Sequence, residues 1–367
     1  MYLSKFQKIE IHPDIRQAET LPAWFYNNED IFEQTKDKIF RNTWHLLCDS
    51  DAIKIPGTAY PITLYEGFLD EPILLTRDFD DKLHCLSNVC THRGNILVEN
   101  AGVLKNIRCR YHGRMFDLSG RFKYMPECDD ALNFPREEDN LSNISFGIWK
   151  NFIFTSVNPL KPLDNFLKPI DIKQEGISFE PIYFEPTLSR DYLVKCNWAL
   201  YVENYLEGFH IPYVHSGLNE KLDYNNYETY VYELCNLQLG IANKGELCFK
   251  LSEISPDYGK EIAAYYWWVF PNLMLNFYPW GLSINIVKPI SVNLTKISFL
   301  TYIYDETKLG QGAGAGLDRV EREDEAIVEM VQKGMKSSFY KTGRYSPKRE
   351  QGVHHFHRLI AEFINCE

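Results

Sequence analysis

Cys90-Thr-His92-Arg-Gly94 and, with sixteen residues between His92 and Cys109, Cys109-Arg-Tyr-His112-Gly113-Arg-Met-Phe116 are the stretches on which the reading of this chain turns. Each supplies one thiol and one imidazole. Two Cys and two His arriving as pairs on two loops can hold a tetrahedral zinc or a [2Fe-2S] cluster in which two His replace two Cys on one iron. Zinc fingers usually pair Cys with Cys and His with His. The mixed pairing here suits one iron held by thiolates and the other by imidazoles, and so favours the cluster. Gly94, Gly113 and Gly120 permit tight turns and bare backbone beside the sulfurs. Cys90, His92, Cys109 and His112 are therefore the expected cluster ligands.

Around these loops, between Trp44 and about Ser156, short runs of β-formers alternate with turn residues: Ala59–Tyr65, Pro72–Thr76, His84–Val89, Met115–Leu118 and Ile148–Thr155. That spacing predicts a small antiparallel β domain over residues 42–158. Residues 1–41 read as a helical segment expected to pack on the second domain. The Pro159–Pro169 stretch, with its repeated Pro, reads as a linker. Residues 159–367 then mix types. A strand near Tyr192 precedes a helix from Trp198 to about His210, an aromatic strand covers Tyr265–Phe270, and a helix runs over Leu317–Met335 with Val320, Ile327, Val328, Val331 and Met335 on one side. Strands flanked by helices give an α+β class.

A second constellation lies in Asn197-Trp-Ala-Leu-Tyr201-Val-Glu-Asn204-Tyr205-Leu-Glu207-Gly-Phe209-His210-Ile-Pro212-Tyr-Val-His215. On a helix Glu207 and His210 share a face, and Pro212 breaks the ladder so that His215 can converge on His210. Two His with one carboxylate form the facial triad of non-haem Fe(II) oxygenases, with positions open for dioxygen and substrate.

Together these residues resemble the oxygenase component (α subunit) of the Rieske non-haem iron oxygenases, from Trp24 to Phe363. The resemblance implies an antiparallel β Rieske domain and a helix-grip catalytic domain, a curved antiparallel sheet with flanking helices. It implies that Asp324 completes the iron site with His210 and His215, with Glu321 and Glu323 as adjacent rivals. Glu207 matches the acid that links a Rieske histidine of one subunit to an iron histidine of its neighbour, an arrangement that needs a ring of subunits, most simply a trimer. Glu at that position, in a motif opened by Asn204, is similar to the branch acting on carnitine, choline and betaines. The implied activity is hydroxylation, N-demethylation or C–N cleavage of a small quaternary ammonium compound with O₂ and electrons from NAD(P)H through a separate flavin/iron-sulfur reductase. Aromatic-ring hydroxylation is the alternative within the family, and a Rieske electron carrier or a zinc protein the alternatives outside it. Tyr201, Tyr205, Phe209, Tyr266, Trp268 and Phe270 are the expected substrate-pocket aromatics, since aromatic faces attract methylated ammonium.

The composition is that of an ordinary globular protein. Of 367 residues 45% are hydrophobic and 14% aromatic, and the formal charge of -11 speaks against nucleic acid as a partner. Nine scattered Cys and no apolar leader segment lead us to expect a reducing, cytoplasmic setting without a membrane span. Gly310-Gln-Gly-Ala-Gly-Ala formally fits a dinucleotide fingerprint but lacks a following strand and acid, so it reads as a flexible loop. His354-His-Phe-His357 reads as the start of a C-terminal helix.

Overall fold

The computed structural model describes residues 8–179 and 181–366. They form two compact units, Arg41–Lys161 and, as the other, residues 8–40 with 162–179 and 181–366.

The smaller unit consists of β1 (His45–Asp49), β2 (Thr58–Leu64), β3 (Glu71–Arg77), β4 (Leu83–Ser87), β5 (Gly102–Val103), β6 (Ile107–Arg108), β7 (Met115–Phe116), β8 (Phe122–Tyr124), β9 (Ser145–Trp149) and β10 (Phe152–Ser156). They make three sheets ordered β1-β10-β9, β4-β3-β2-β5 and β6-β7-β8, antiparallel throughout. The run Ile148–Thr155, expected as one strand, is a hairpin in which Phe152 faces Trp149. Lys150 takes φ +51° at the turn, the positive value that two-residue hairpin connections require. Leu74, Leu86, Leu97, Ile107, Phe116, Leu118 and Leu141 form a core that also encloses Cys90 and Cys109. Both cluster loops thus spring from strand ends anchored in one apolar cluster.

In the larger unit β11 (Tyr183–Phe184), β12 (Arg190–Val194), β13 (Glu228–Val231), β14 (Cys235–Ile241), β15 (Ile262–Val269), β16 (Leu273–Tyr278), β17 (Gly281–Ser291) and β18 (Leu294–Ile303) form one antiparallel sheet. Its order is β11-β18-β17-β16-β15-β14-β13, with β12 also on β18. The helices are α1 (Glu29–Lys38), α2 (Asp164–Lys173), α3 (Trp198–Tyr205), α4 (Ile211–Val214), α5 (Ser216–Asn219), α6 (Leu317–Gly334) and α7 (Gln351–Asn365). Asn28 caps α1 by accepting from the Ile31 N–H at 3.1 Å, and Glu29 and Asp30 complement its dipole. Trp268 of β15 meets Phe356 of α7 at 5.3 Å, and Phe356 meets Trp198 of α3 at 5.6 Å. These rings fix α3 and α7 over the same part of the sheet. The C-terminal histidines are buried within α7.

Two expectations change. The proline-rich stretch is no linker from Asp164 onward, because α2 runs through Pro169 and buries Phe166, Leu167 and Ile170. Three such burials at roughly 1.5 to 3 kcal/mol each outweigh the local proline cost of about 3 kcal/mol. The helix from Trp198 ends at Tyr205, and residues 206–210 are turn and bend. Among the described residues, no helix is long and apolar enough to cross a membrane.

Candidate metal centres and active-site cavity

The two cysteine–histidine loops are built alike. Cys90 N–H donates to Asn95 O at 2.8 Å and Gly94 N–H to Cys90 O at 3.0 Å; Cys109 N–H donates to Arg114 O at 2.8 Å and Gly113 N–H to Cys109 O at 3.0 Å. Gly94 and Gly113 close the two turns at φ +68° and +76°, a conformation glycine adopts without strain. Both cysteines are buried, and the imidazoles of His92 and His112 are exposed with ring centroids 4.8 Å apart. Burial pushes the Cys90 thiol up. It opposes ionisation of Cys109 too, but there the backbone N–H groups of Tyr111 and His112 and the side chains of Cys90 and Asn95 outweigh it and hold the thiol below its ordinary value. Buried sulfurs fed by backbone N–H groups, facing two outward imidazoles, are a donor set that fits a [2Fe-2S] cluster with its histidine-bound iron nearer solvent.

In the larger unit His210, His215 and Asp324 each bring a ligand atom within 4.8 Å of the others. Asp324 Oδ1 lies 2.9 Å from His215 Nε2 and 3.5 Å from His210 Nε2. The opposite nitrogens are also held: His210 Nδ1 by Glu207 Oε1 and His215 Nδ1 by Glu323 Oε2, both at 2.8 Å. Both rings therefore present Nε2 to one point with Nδ1 tied to a carboxylate, the support that metal-binding histidines commonly have. The donor set fits a mononuclear iron with open positions.

Glu207 does not share a helical face with His210, as the sequence suggests. α3 has ended, and the Glu207 carboxylate accepts from the N–H groups of Phe209 and His210. It caps the turn that leads into α4. Gly208 allows the close packing there, since a Cβ would stand 2.8 Å from the Tyr227 ring. Of the neighbouring acids on α6, Glu323 is a partner of His215 and not of the converging atoms. Glu321 is buried, with both oxygens on the Tyr201 hydroxyl.

A cavity of about 110 Å³ opens beside these atoms. Tyr201, Asn204, Tyr205, Glu207, His210, His215, Tyr266, Glu321 and Asp324 line it, together with Tyr227, Gln238, Asn276 and Tyr278. Among its lining residues there is no Lys or Arg. The Tyr205 hydroxyl, with one hydrogen to give, stands 3.1 Å from Trp267 O and 2.9 Å from Asn276 Oδ1, and Tyr266 meets Tyr278 edge-on at 5.9 Å. Burial pushes the hydroxyls of Tyr205, Tyr227 and Tyr278 well up, so these rings are neutral.

Three of the expected pocket aromatics lie elsewhere. Phe209 is 39% exposed and packs on Tyr213. Trp268 alternates onto the same strand face as Tyr266 but lies farther along, where Phe356 of α7 covers it. Phe270 packs on Phe363. Tyr227, just before β13, Gln238 of β14 and Tyr278 of β16 come from regions that carry no motif and reach the cavity only through the fold. The Gly-Ala loop is packed and not loose: Ala313 and Gly314 are buried, and a Cβ on Gly314 would stand 2.2 Å from Trp280 Nε1.

Residues 43–135 match the Rieske [2Fe-2S] domain, and residues 180–238 and 251–365 match the catalytic domain of the ring hydroxylating alpha subunit. The chain is 28% identical to a chloroplastic choline monooxygenase of Arabidopsis thaliana, over 94% of this chain and 83% of that one. It is also 28% identical to the carnitine monooxygenase oxygenase subunit of Escherichia coli, over 95% and 94%. Among solved structures it is similar to a quaternary ammonium Rieske monooxygenase, at a TM-score of 0.77 and 23% identity over 97% of this chain and 100% of that one. It is similar as well to naphthalene 1,2-dioxygenase from Rhodococcus sp., at a TM-score of 0.73 and 17% identity over 94% of each chain. These two likenesses bear on the fold. Oxygenases of this kind are oxidoreductases that use a [2Fe-2S] cluster, a mononuclear iron and O₂. The chain belongs to the Rieske non-haem iron oxygenases, as the oxygenase component (α subunit) that works with a separate reductase.

Proposed function

We propose that the protein oxygenates a quaternary ammonium compound, inserting one oxygen atom into a C–H bond beside nitrogen. In balance, substrate, O₂, two electrons and two protons give hydroxylated substrate and water. The observation that carries this reading is the cavity beside His210, His215 and Asp324, walled by neutral tyrosines and lined by acids but by no Lys or Arg. Aromatic faces in a dry site favour an onium ion by about 2 kcal/mol or more. The names of the choline and carnitine relatives point the same way.

In this reading Cys90, Cys109, His92 and His112 hold the cluster, and His210, His215 and Asp324 hold the iron. The iron, when bound, supplies the activation of O₂ that no side chain provides. Glu207 and Glu323 fix the tautomer and aim of the two imidazoles. Asn204 and the Tyr205–Asn276 pair orient the substrate, and the tyrosine walls exclude water. Glu207 also serves as the bridge for electrons from the cluster of a neighbouring subunit in a trimer. Support comes from its hydrogen bond to His210, its partial exposure, and the exposure of His92 and His112 on their own unit. Nine cysteines with no disulfide among the described residues support a reducing compartment, the cytoplasm.

The test is an oxygen-uptake assay with a surrogate NADH-driven reductase, comparing quaternary ammonium compounds with aromatic acids. Stimulation by the former with matching product supports the reading. Stimulation by aromatic acids alone overturns it in favour of ring hydroxylation.

A further inference from the structure

The cavity beside the iron ligands adjoins a second of about 260 Å³, and Glu321 lines both. Glu321 is 4% exposed, and the Tyr201 hydroxyl faces its two oxygens at 2.7 and 2.6 Å. One hydroxyl has one hydrogen, so it satisfies only one oxygen at a time. A buried carboxylate otherwise needs a cation. The lining of the inner cavity has no Lys or Arg, its two histidines face Asp324 and not Glu321, and Arg190 in the outer one is paired with Asp318 at 3.0 Å.

Gln238 carries the second, independent observation. Its Nε2 donates to the Tyr205 carbonyl, which fixes the amide's orientation, and its Oε1 is left buried and without a partner beside the same cavity. That oxygen can only accept, so it calls for a donor on whatever enters.

We propose that Glu321 is the counter-charge of the substrate's onium group and that Gln238 accepts from a hydroxyl of the same molecule. The substrate is then a quaternary ammonium alcohol and not a zwitterion with its own carboxylate. This deepens the proposed function and rests on it. A carboxylate in the cavity would meet Glu321 and the Gln238 oxygen with no Lys or Arg to offset them, while His210 and His215 are already engaged with Asp324. Burial holds the Glu321 carboxyl well above the ordinary range, opposed by Tyr201 and reinforced by Asp324 and Glu325. An entering cation therefore draws a proton off it, and binding releases a proton to the buffer.

The test is equilibrium binding to the anaerobic holoenzyme by calorimetry in two buffers of different ionisation enthalpy. The probes are choline, its methyl ether, γ-butyrobetaine and 3,3-dimethylbutanol, the uncharged carbon isostere of choline. Choline is expected to bind about tenfold or more tighter than each of the others, with proton release. Glu321→Gln is expected to bring choline down to the isostere's affinity and to abolish the proton release. Tighter binding of γ-butyrobetaine than of choline by the wild-type protein overturns the inference and leaves the quaternary ammonium reading intact. Equal binding of choline and its methyl ether overturns the role of Gln238, and an undiminished advantage of choline over the isostere in Glu321→Gln overturns that of Glu321. Binding of none of the quaternary ammonium probes overturns the proposed function itself.

Discussion

Glu323 sets its Oε2 2.8 Å from Nδ1 of His215. The next residue, Asp324, sets Oδ1 2.9 Å from Nε2 of the same ring. Successive residues of a helix point about 100° apart, so one turn of α6 grips the imidazole at both nitrogens. Arg319, one turn earlier, holds the other Glu323 oxygen at 2.9 Å. The two acids divide the work: Glu323 orients, and Asp324 shares the point on which both Nε2 atoms converge.

Glu323→Ala is expected to weaken mononuclear iron binding by about 10- to 100-fold, and Asp324→Ala to abolish it. Both variants should keep the visible absorption of the cluster. Iron analysis should give about three irons per chain for the wild type and about two for Asp324→Ala. An Asp324→Ala protein that keeps the full iron complement would remove Asp324 from the ligand set.

Glu207→Gln should retain both metal sites, because an amide oxygen can still cap the turn at Phe209 and His210. Its effect should fall on electron transfer from the cluster, slowed by an order of magnitude or more, about 1.4 kcal/mol per tenfold. Stopped-flow bleaching of the reduced cluster in a single turnover checks this. Full-speed transfer in the variant would leave Glu207 as a cap and nothing more.

Asp139 accepts from Arg114 at 2.7 Å through its carboxylate, and its backbone carbonyl accepts from the Thr91 hydroxyl at 2.8 Å, so it clasps both cluster loops. The Arg114 side chain is buried over the Phe122 ring. Asp139→Asn should destabilise the smaller unit by about 3 kcal/mol, as breaking a buried pair does. Burial tends to raise the Asp139 carboxyl, but the backbone at Arg136 and the Arg114 guanidinium outweigh it and hold it below its usual value. The pair's contribution is therefore complete above the unfolded carboxyl's value of about 3.9 and is lost as pH falls through the lower folded one. Denaturant titrations following cluster absorbance should show the wild-type advantage at pH 7 and its decline below about pH 4. An advantage independent of pH would contradict the assignment.

Gly314→Ala should disturb the outer cavity, because the new Cβ would stand 2.2 Å from Trp280 Nε1. Overpacking of this kind costs about 1 to 3 kcal/mol. A lowered melting temperature with altered tryptophan fluorescence is expected; an unchanged protein would mean that the loop yields freely.

The candidate metal ligands could be singled out because metal chemistry demands fixed residue types in short spacings, as in Cys90-Thr-His92 and Cys109-Arg-Tyr-His112. The strand runs were legible for the same local reason, down to the aromatic β15. Helical phase was less so. Apolar periodicity put Val331 on the buried side of α6, yet Val331 is 38% exposed while Glu321 and Gln332 are buried. A buried carboxyl facing a tyrosine hydroxyl 120 positions away leaves no trace in a hydrophobic pattern. Tyr227, Gln238 and Tyr278 were equally hidden, since only the tertiary fold brings them to the cavity that His210, His215 and Asp324 line. Trp268 and Phe270 show the converse: strand alternation gives the face but not how far along it a covering helix reaches.

The most direct test of the account measures oxygen and substrate together. With holoenzyme, a surrogate reductase and choline as the quaternary ammonium probe, oxygen and substrate should disappear in equal amounts, and Asp324→Ala should abolish both. Oxygen uptake that ignores quaternary ammonium compounds and follows an aromatic substrate would contradict the account.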